Sequence, residues 1–308
     1  RHRDGRGRAP GRGRAGVKGD GALDRYALRR LVRESGERLK AAGVASPEHD
    51  ARALAEWLLG RPLPLADGAD AAFTAAYAQA LRRREAREPL QRITGRMFFR
   101  GLELECRPGV FIVRPETEVV AGVAIEAVLA RERGGVAGGP LVVDLCTGSG
   151  AIAAAVAAEV PAARVIAVEL AGDAVVAAVA ACERHAPGRV RVVQADAAAP
   201  STLAGLDGSV DVVVTNPPYV PAGALEDVET ASYDPRLALF GGGEDGLDLP
   251  VALVRRAAAL LHDDGLLVME HDAGQGRALR EAALAVGFRE ASTGQDLTGR
   301  DRFLRAVR

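Results

Sequence analysis

From residue 140 onward, apolar strand-like runs alternate with helical segments, and this alternation limits the possible folds more than any other feature. The helical segments are residues 151–159, 173–185, 249–261 and 277–286. The strand-like runs are residues 141–145, 164–169, 190–194, 210–215, 266–270 and two short runs near 288 and 303. Strands that alternate with helices predict an α/β fold, in which a seven-stranded, mostly parallel sheet carries helices on both faces.

Residues 21–88 have a helical pattern instead and are predicted to form a small N-terminal domain. Ser46 and Pro47 resemble a helix start, because a capping hydroxyl precedes a proline at the first helical position. Residues 69–86 form another candidate helix. The short helices of such a domain offer no evident catalytic set, so we expect it to dock a partner or to support the larger domain.

A linker at residues 89–118 joins this helical domain to the α/β domain at residues 119–308. Phe98 and Phe99 precede Gly101, and an alternating Leu-Glu-Leu-Glu run follows it. This pattern predicts a β-hairpin within the linker.

Residues 1–20 are rich in arginine and glycine and show no apolar periodicity. Such a composition cannot bury enough apolar surface to order itself, so a disordered tail is expected. An arm that touches RNA is the alternative interpretation.

Composition limits the partners of the chain. The formal net charge is -1, so no overall field attracts nucleic acid or a membrane surface. Cys106, Cys146 and Cys182 show no CxxC spacing, so neither a disulfide framework nor a metal site is expected. No apolar run approaches the ~18 residues of a membrane span, and a cytoplasmic location is expected.

A glycine turn follows the first strand of the α/β domain. Residues 144–150 read Asp-Leu-Cys-Thr-Gly-Ser-Gly, and a helix follows at once. Glycines let the backbone approach a ligand, and a helix start offers unpaired N–H groups. The turn fits neither the dinucleotide fingerprint nor a phosphate-binding loop, and a plain strand-to-helix connection is the alternative. Its candidate cofactor-binding residues are Cys146, Thr147, Gly148, Ser149 and Gly150.

Acidic residues follow the next two strands. Glu169 ends the second strand, where a carboxylate can accept hydrogen bonds from both hydroxyls of a ribose. Asp196 follows the third strand, with Ala197 beside it, in a position to approach an adenine. A glycine turn and two acids without a phosphate-binding group predict a nucleoside cofactor. S-adenosylmethionine is the natural candidate.

Asn216, Pro217, Pro218 and Tyr219 close the fourth strand. The two prolines end the strand and stiffen the chain, so that an amide and an aromatic ring are held in place. Such a pocket suits a planar nitrogen, either an amide or an exocyclic amine. The fourth strand usually lies next to the first, which places Asn216 at both the substrate and the cofactor.

Further stretches carry a resemblance to a known family. They are residues 91–95, 114–118, 144–152, 211–219, 233–239, 242–247 and 269–271, with Gln275, Gly276, Asp296 and Arg302. Over residues 88–306 the chain resembles the N5-glutamine methyltransferases of bacterial peptide chain release factors. These belong to the class I methyltransferases, and the Asn-Pro-Pro-Tyr sequence is also found in DNA adenine methyltransferases.

The resemblance implies a Rossmann-like methyltransferase domain behind a helical domain and a β-hairpin. It implies that the glycine turn and Glu169 hold S-adenosylmethionine. It also implies that residues 216–219 hold the glutamine of the Gly-Gly-Gln motif of a class I release factor. A monomer without bound metal is expected.

The chain departs from the family pattern at four positions, which are Val113, Cys146, Glu169 and Ala197. Cys146 replaces the usual glycine, so we expect the backbone there to avoid a positive φ. Glu169 replaces the commoner aspartate, which lengthens the side chain by one methylene and keeps its chemistry.

The residues predict catalysis by positioning. The Asn216 side-chain oxygen would accept one N–H of the substrate amide and the Pro217 carbonyl the other, while Tyr219 packs on the amide and excludes water. Residues 220–248 are expected to form either a lid or an ordinary mobile loop.

Three alternative functions stay open at this point. The substrate could be a glutamine of a ribosomal protein, or the N6 amine of adenine in a nucleic acid. The chain could also bind S-adenosylmethionine without catalysis. The near-neutral charge and the small helical domain argue against a nucleic-acid substrate.

Overall fold

The computed structural model describes residues 22–135, 138–224 and 227–308. The predicted tail at residues 1–20 lies outside the described residues. The chain divides into two compact units between Thr94 and Gly95, so the hairpin belongs to the larger unit. No helix in the described part of the chain is long and apolar enough to cross a membrane.

The smaller unit is built from helices and one short pair of strands. Its helices are α1 Arg25–Ala41, α2 Pro47–Leu59, α3 Ala71–Glu85 and α4 Leu90–Thr94. Strands β1 Leu23–Asp24 and β2 Gly68–Ala69 pair in antiparallel fashion. The sequence did not predict this pair, because two residues are too few to show an alternation of apolar and polar side chains.

Aspartates cap two of the helices of this unit, α1 and α3. Helix α2 begins at Pro47 as predicted, but the side chain of Ser46 makes no capping hydrogen bond. The Asp24 carboxylate caps α1 by accepting two backbone N–H groups, and Asp70 caps α3 by accepting one. These carboxylates satisfy N–H groups that a helix start otherwise leaves unpaired.

The larger unit begins with the hairpin strands β3 Arg96–Phe99 and β4 Leu102–Glu105, and helix α5 Thr117–Arg133 follows. The later strands are β5 Leu141–Leu145, β6 Arg164–Glu169, β7 Val190–Gln194, β8 Val210–Thr215, β9 Leu261–Glu270, β10 Glu290–Gln295 and β11 Asp301–Val307. The later helices are α6 Ala151–Glu159, α7 Gly172–His185, α8 Val228–Tyr233, α9 Asp248–Leu260 and α10 Gly276–Ala285. The predicted alternation of strands and helices is confirmed.

Strands β5 to β11 form one sheet in the order β10-β11-β9-β8-β5-β6-β7. Strands β5 to β9 pair in parallel, and β11 pairs antiparallel with β9 and β10. The seven-stranded, mostly parallel sheet is therefore confirmed. Leu145 at the end of β5 lies opposite Val168 of β6 and Thr215 of β8. As a result, the glycine turn leaves the sheet between the chains that leave β6 and β8.

Apolar residues of β5 alternate between the two faces of the sheet. Val142 belongs to a core with residues of α5, α6 and α7, whereas Val143 belongs to a core with residues of α9 and α10. Both faces of the sheet are thus covered, which explains why β5 is buried throughout and apolar except at Asp144.

Two strand boundaries differ from the sequence prediction. Strand β9 begins at Leu261 rather than at 266, because Leu261 pairs with Val210 across a register shift. Residues 262–265, which lie between the observed and the predicted start of β9, are polar or glycine, so the sequence shows no strand pattern there. Phe288 lies in the core before β10, and this strand begins only at Glu290.

Gly150 allows helix α6 to pack closely on α7. Its φ is 80°, and a Cβ at this position would lie 2.8 Å from the Cα of Ala178. A side chain at Gly150 therefore meets both an unfavourable backbone conformation and a backbone atom of the next helix.

We expect Gly150→Ala to lower the free energy of unfolding by about 3 kcal/mol, from left-handed strain together with overpacking. Gly148→Ala is the matched control, because Gly148 also has a positive φ but an added Cβ meets no atom within 4 Å. That control should cost only about 1 kcal/mol. Urea unfolding checks both, and equal losses would mean that the contact with Ala178 is not limiting.

Candidate active site

A cavity of about 210 Å³ lies at the carboxyl ends of the central strands. Most of the residues predicted from the sequence line it, namely Cys146, Thr147, Gly148, Ser149, Glu169, Asp196, Ala197, Asn216, Pro217, Pro218 and Tyr219. Gly150 does not line the cavity and lies behind the turn, against α7. The cavity also has walls that the sequence did not reveal, including Phe111, Val113, Leu237 and Leu239.

Asp144 anchors the glycine turn from within the sheet. Its Oδ2 accepts a hydrogen bond from the Thr147 hydroxyl at 2.5 Å and one from the Ala153 N–H at 3.1 Å. The carboxyl is fully buried, and its Oδ1 has no hydrogen-bond partner among the described residues. Burial raises the pKa of Asp144 to about 7, against the opposing effect of these two hydrogen bonds.

The backbone at Cys146 contradicts the expectation drawn from the sequence. Its φ is 59°, so this cysteine adopts the left-handed conformation that a glycine would adopt more easily. The Thr147 N–H donates to the Val168 carbonyl at 3.0 Å, which fixes the turn against β6. The turn therefore keeps its shape at a strain of about 1–2 kcal/mol.

Glu169 reaches back onto the glycine turn. Its Oε2 accepts the Gly148 N–H at 2.8 Å, and its Oε1 accepts the Leu170 and Ala171 N–H groups at 2.9 Å. A carboxylate has about four acceptor positions, so one remains for a ligand hydroxyl. The longer side chain at this position thus ties the turn to the chain that follows β6.

Asp196 and Ala197 contribute differently to the cavity. Asp196 is exposed at its rim, and the Asp196 Oδ1 accepts the Ala198 N–H at 2.9 Å. Ala197 is buried and packs in the core on the α9 side of the sheet. Asp196 therefore offers an acceptor to a ligand, whereas Ala197 offers only apolar surface.

Residues outside the Asn-Pro-Pro-Tyr sequence orient its side chains. The Asn216 Nδ2 donates to the Thr117 hydroxyl at 3.0 Å, and the Tyr219 hydroxyl donates to the Glu270 Oε1 at 3.1 Å. Within the described part of the chain, no hydrogen bond occupies the Asn216 Oδ1 or the Pro217 carbonyl. Asn216 and Pro217 therefore present two free acceptors at the cavity.

Gln275 and Gly246 fix the backbone at Tyr219. The Gln275 Nε2 donates to the carbonyls of Tyr219 and Asp245, each at 2.8 Å. Gly246 lies so close to the Tyr219 carbonyl that a Cβ there would clash with it. The Tyr219 ring is thus held at both ends, by the contacts to the Tyr219 carbonyl and by the hydrogen bond from the Tyr219 hydroxyl to Glu270.

Arg114 anchors the segment at residues 220–247. It donates to the Asp234 carboxylate at 2.5 Å, and the Ile112 N–H donates to the other oxygen of that group at 3.1 Å. The Arg114 guanidinium also lies over the Phe111 ring, 4.7 Å from its centre. The described parts of this segment form a wall of the cavity that is tied to the residues before α5.

Thr117, Asp234, Glu270 and Gln275 support the site, yet the sequence assigned none of them a role there. All four fall in the stretches that carry the family resemblance. The signal was therefore present, but nothing in the local sequence showed which atoms these side chains contact.

Comparison with known proteins identifies the family. Residues 30–95 match a family model described as the PrmC N-terminal domain, and residues 142–230 match one described as a methyltransferase domain. The release factor glutamine methyltransferase of Bifidobacterium longum is 43% identical over 292 residues, which cover 90% of this chain and 98% of that protein. The chain belongs to the release factor glutamine methyltransferase family. The resemblance inferred from the sequence is confirmed.

Another member of the release factor glutamine methyltransferase family, from Streptomyces coelicolor, is 48% identical over 280 residues, 89% of this chain and 96% of that protein. A 4-amino-L-phenylalanine/4-methylamino-L-phenylalanine methyltransferase of Streptomyces pristinaespiralis is 45% identical over 197 residues, 63% of this chain and 65% of that protein. The similarity to the release factor enzymes is thus the more extensive one.

The cavity of this release factor glutamine methyltransferase family member fits S-adenosylmethionine. Its described lining residues include the carboxylates of Glu169 and Asp196 but no lysine or arginine. Such a lining suits a ligand that has hydroxyls and positive charge and lacks a phosphate. The remaining walls are mostly apolar, which suits the adenine ring and the methionine chain.

We expect Glu169→Ala to weaken S-adenosylmethionine binding by about tenfold or more, since a charged hydrogen-bond acceptor is lost. Isothermal titration calorimetry measures the affinity. Glu169→Asp is the control and should bind within a few fold of the wild type. Unchanged affinity in the alanine variant would remove Glu169 from the cofactor site.

The raised pKa of Asp144 predicts a pH-dependent stability. A carboxyl with a raised pKa in the folded state stabilises the fold below its unfolded pKa of about 4, and this contribution is lost as the pH rises through about 7. Relative to Asp144→Asn, the wild type should lose on the order of 4 kcal/mol between these pH values. Denaturant unfolding from pH 4 to pH 8 tests this, and a constant difference would contradict it.

Proposed function

We propose that this chain transfers the methyl group of S-adenosylmethionine to the side-chain amide nitrogen of the glutamine in the Gly-Gly-Gln motif of a class I peptide chain release factor. The family similarity over about nine-tenths of the chain supports this substrate. The observation that carries the chemistry is the hydrogen bond from Asn216 to Thr117. Because it uses the amide N–H, the Asn216 oxygen is left to accept an N–H from the substrate.

The glycine turn, Glu169 and Asp196 would hold S-adenosylmethionine. When bound, this cofactor supplies an electrophilic methyl group on a positively charged sulfur. Glu169 and Asp196 would accept hydrogen bonds from its hydroxyl and amine groups. The Gly148 N–H already donates to Glu169 and so holds this carboxylate at the turn.

The chain overcomes the weak nucleophilicity of an amide by orienting it. The nitrogen lone pair is delocalised into the carbonyl group, and no side chain is basic enough to deprotonate the amide first. Acceptance of the two substrate N–H groups by the Asn216 oxygen and the Pro217 carbonyl increases the electron density on nitrogen and fixes its direction. The Tyr219 ring covers the amide and excludes water. The proton is lost after the methyl transfer.

A methyl-transfer assay tests the substrate. Labelled S-adenosylmethionine is incubated with the enzyme and one of three purified proteins. These are a class I release factor, its variant in which asparagine replaces the glutamine of the Gly-Gly-Gln motif, and a ribosomal protein as control. We expect label on the wild-type release factor alone.

Asn216→Ala is the matched enzyme variant for this assay. It should reduce turnover to background because one of the two acceptors is lost, while its S-adenosylmethionine affinity stays within a few fold of the wild type. Label on the ribosomal protein alone would show that the ribosomal protein, and not the release factor, is the substrate. Near-normal activity of Asn216→Ala would contradict the proposed mechanism. The cytoplasmic location and the monomeric state stay predictions.

A further inference from the structure

Two segments outside the sheet supply part of the cavity lining. Every second residue of 109–113 and four of the five residues 235–239 line the cavity. We call residues 109–113 the first wall and residues 235–239 the second wall. Neither wall belongs to a strand of the sheet, so other contacts must fix its position.

The first wall is attached to helix α7. Val110 is 1% exposed and forms a small core with Ala174 and Ala177 of this helix. The Ala171 N–H, just before α7, donates to the Glu169 carboxylate at 2.9 Å. Both Ala171 and Ala174 line the cavity. The first wall therefore belongs to the half of the cavity where Glu169 is proposed to hold S-adenosylmethionine.

The second wall is attached to the chain that leaves the Asn-Pro-Pro-Tyr sequence. The Val220 N–H donates to the Leu239 carbonyl at 2.8 Å, and the Gly241 N–H donates to the Val220 carbonyl at 3.2 Å. Val220 directly follows Tyr219 in the chain. The second wall therefore belongs to the half of the cavity where the substrate amide is proposed to bind.

A buried carboxylate joins the two walls. The Asp234 side chain is 1% exposed, and its Oδ1 accepts the Ile112 N–H at 3.1 Å. Its Oδ2 accepts a hydrogen bond from the Arg114 guanidinium at 2.5 Å, and the same guanidinium donates to the Ile112 carbonyl at 2.7 Å. Both backbone groups of Ile112 in the first wall are therefore bound by one ion pair, and Asp234 directly precedes the second wall.

We propose that Asp234 is a positioning residue that holds the two walls together and so shapes the cavity before a ligand binds. Neither Asp234 nor Arg114 lines the cavity, so both act through the walls that they connect. A site that is shaped in advance avoids the free-energy cost of ordering its walls when a ligand arrives. The proposal rests on the proposed function for the identity of the two ligands, whereas the contact between the walls requires no ligand.

Asp234→Asn breaks this connection with almost no change in side-chain shape. The Ile112 N–H and the Arg114 guanidinium bind different oxygens of Asp234. The amide in the variant has one oxygen for these two donors, and its NH₂ group faces the other donor. We expect the walls to separate more readily in this variant, because a buried donor without a partner destabilises the joined arrangement.

Asp211→Asn is the matched control. Asp211 is also a buried carboxylate that connects two segments, since it accepts the Leu141 N–H at 2.8 Å and lies 3.2 Å from a ring nitrogen of His262. It lies near the start of β8, at the edge of the sheet opposite the cavity. The control therefore removes the same kind of contact without touching either wall.

Limited trypsin digestion measures the separation of the walls without any ligand. Arg236 is exposed in the second wall, and trypsin cleaves after an arginine when the chain around it opens locally. We expect cleavage after Arg236 to be about tenfold faster or more in Asp234→Asn and to keep its wild-type rate in Asp211→Asn. Mass spectrometry of the fragments identifies the cleaved bond. Equal rates in the wild type and Asp234→Asn, or equal acceleration in both variants, would overturn the proposal.

Ligand binding provides the second measurement. Asp234→Asn should weaken S-adenosylmethionine affinity and raise the KM for the release factor, each by about tenfold, because part of the binding free energy is used to rejoin the walls. The kcat at saturation should stay within about threefold, since the bound ligands restore the shape of the cavity. Asn216→Ala is expected to show the reverse pattern. A lower kcat with unchanged affinity and KM in Asp234→Asn would overturn the proposal.

A double variant keeps the test valid if thermal unfolding shows that Asp234→Asn alone does not fold. Arg114→Met combined with Asp234→Asn removes both charges, and the amide oxygen still accepts the Ile112 N–H, so no buried charge is left without a partner. The double variant should show the same faster cleavage after Arg236 and the same weaker binding. Wild-type cleavage and affinity in a folded double variant would contradict the role of Asp234.

The two measurements separate this proposal from the proposed function. A wild-type protein that leaves the release factor unlabelled contradicts the proposed substrate, while cleavage after Arg236 and S-adenosylmethionine affinity still decide the role of Asp234. A labelled release factor, together with unchanged cleavage, affinity and KM in Asp234→Asn, contradicts the positioning role alone.

Discussion

The parallel pairing of β5 with β8 sets the distance between the two halves of the site. Leu145 lies opposite Thr215, and the Thr215 hydroxyl donates to the Leu145 carbonyl at 2.6 Å inside the sheet. The glycine turn and Asn216 begin one residue later on these neighbouring strands. A slip of one residue would turn the side chains of β8 to the opposite face and separate the cofactor side from the substrate side.

Residues far apart in the sequence then orient the groups that this pairing brings together. Thr117 is 99 residues from Asn216, and Glu270 and Gln275 are 51 and 56 residues from Tyr219. They come from the start of α5, the end of β9 and the start of α10. The site is therefore assembled at the edge of the sheet, and its side chains reach their working positions only when the larger unit is folded as a whole.

The sequence predicted the sheet well where the physical signal is local. Strands β5 to β8 have the predicted boundaries because each is a short, mostly apolar run that is rich in valine. The prediction failed at β9, where its first residues are polar and pairing with Val210 decides the boundary. It also failed at Cys146, since the turn imposes a positive φ that the identity of the residue disfavours. Lining residues could be predicted from strand ends, but Thr117 and Glu270 act through long-range hydrogen bonds that no spacing reveals.

The cysteine in the glycine turn has a chemical consequence for a cavity that would hold a methyl donor. A thiolate is a far stronger nucleophile than an amide, so an ionised Cys146 would compete with the substrate for the methyl group. Burial raises the pKa of this thiol, and the negative charges of Glu169, Asp144 and Asp196 raise it further. Burial and these acidic groups together therefore favour the protonated thiol, which is a weak nucleophile, over the reactive thiolate.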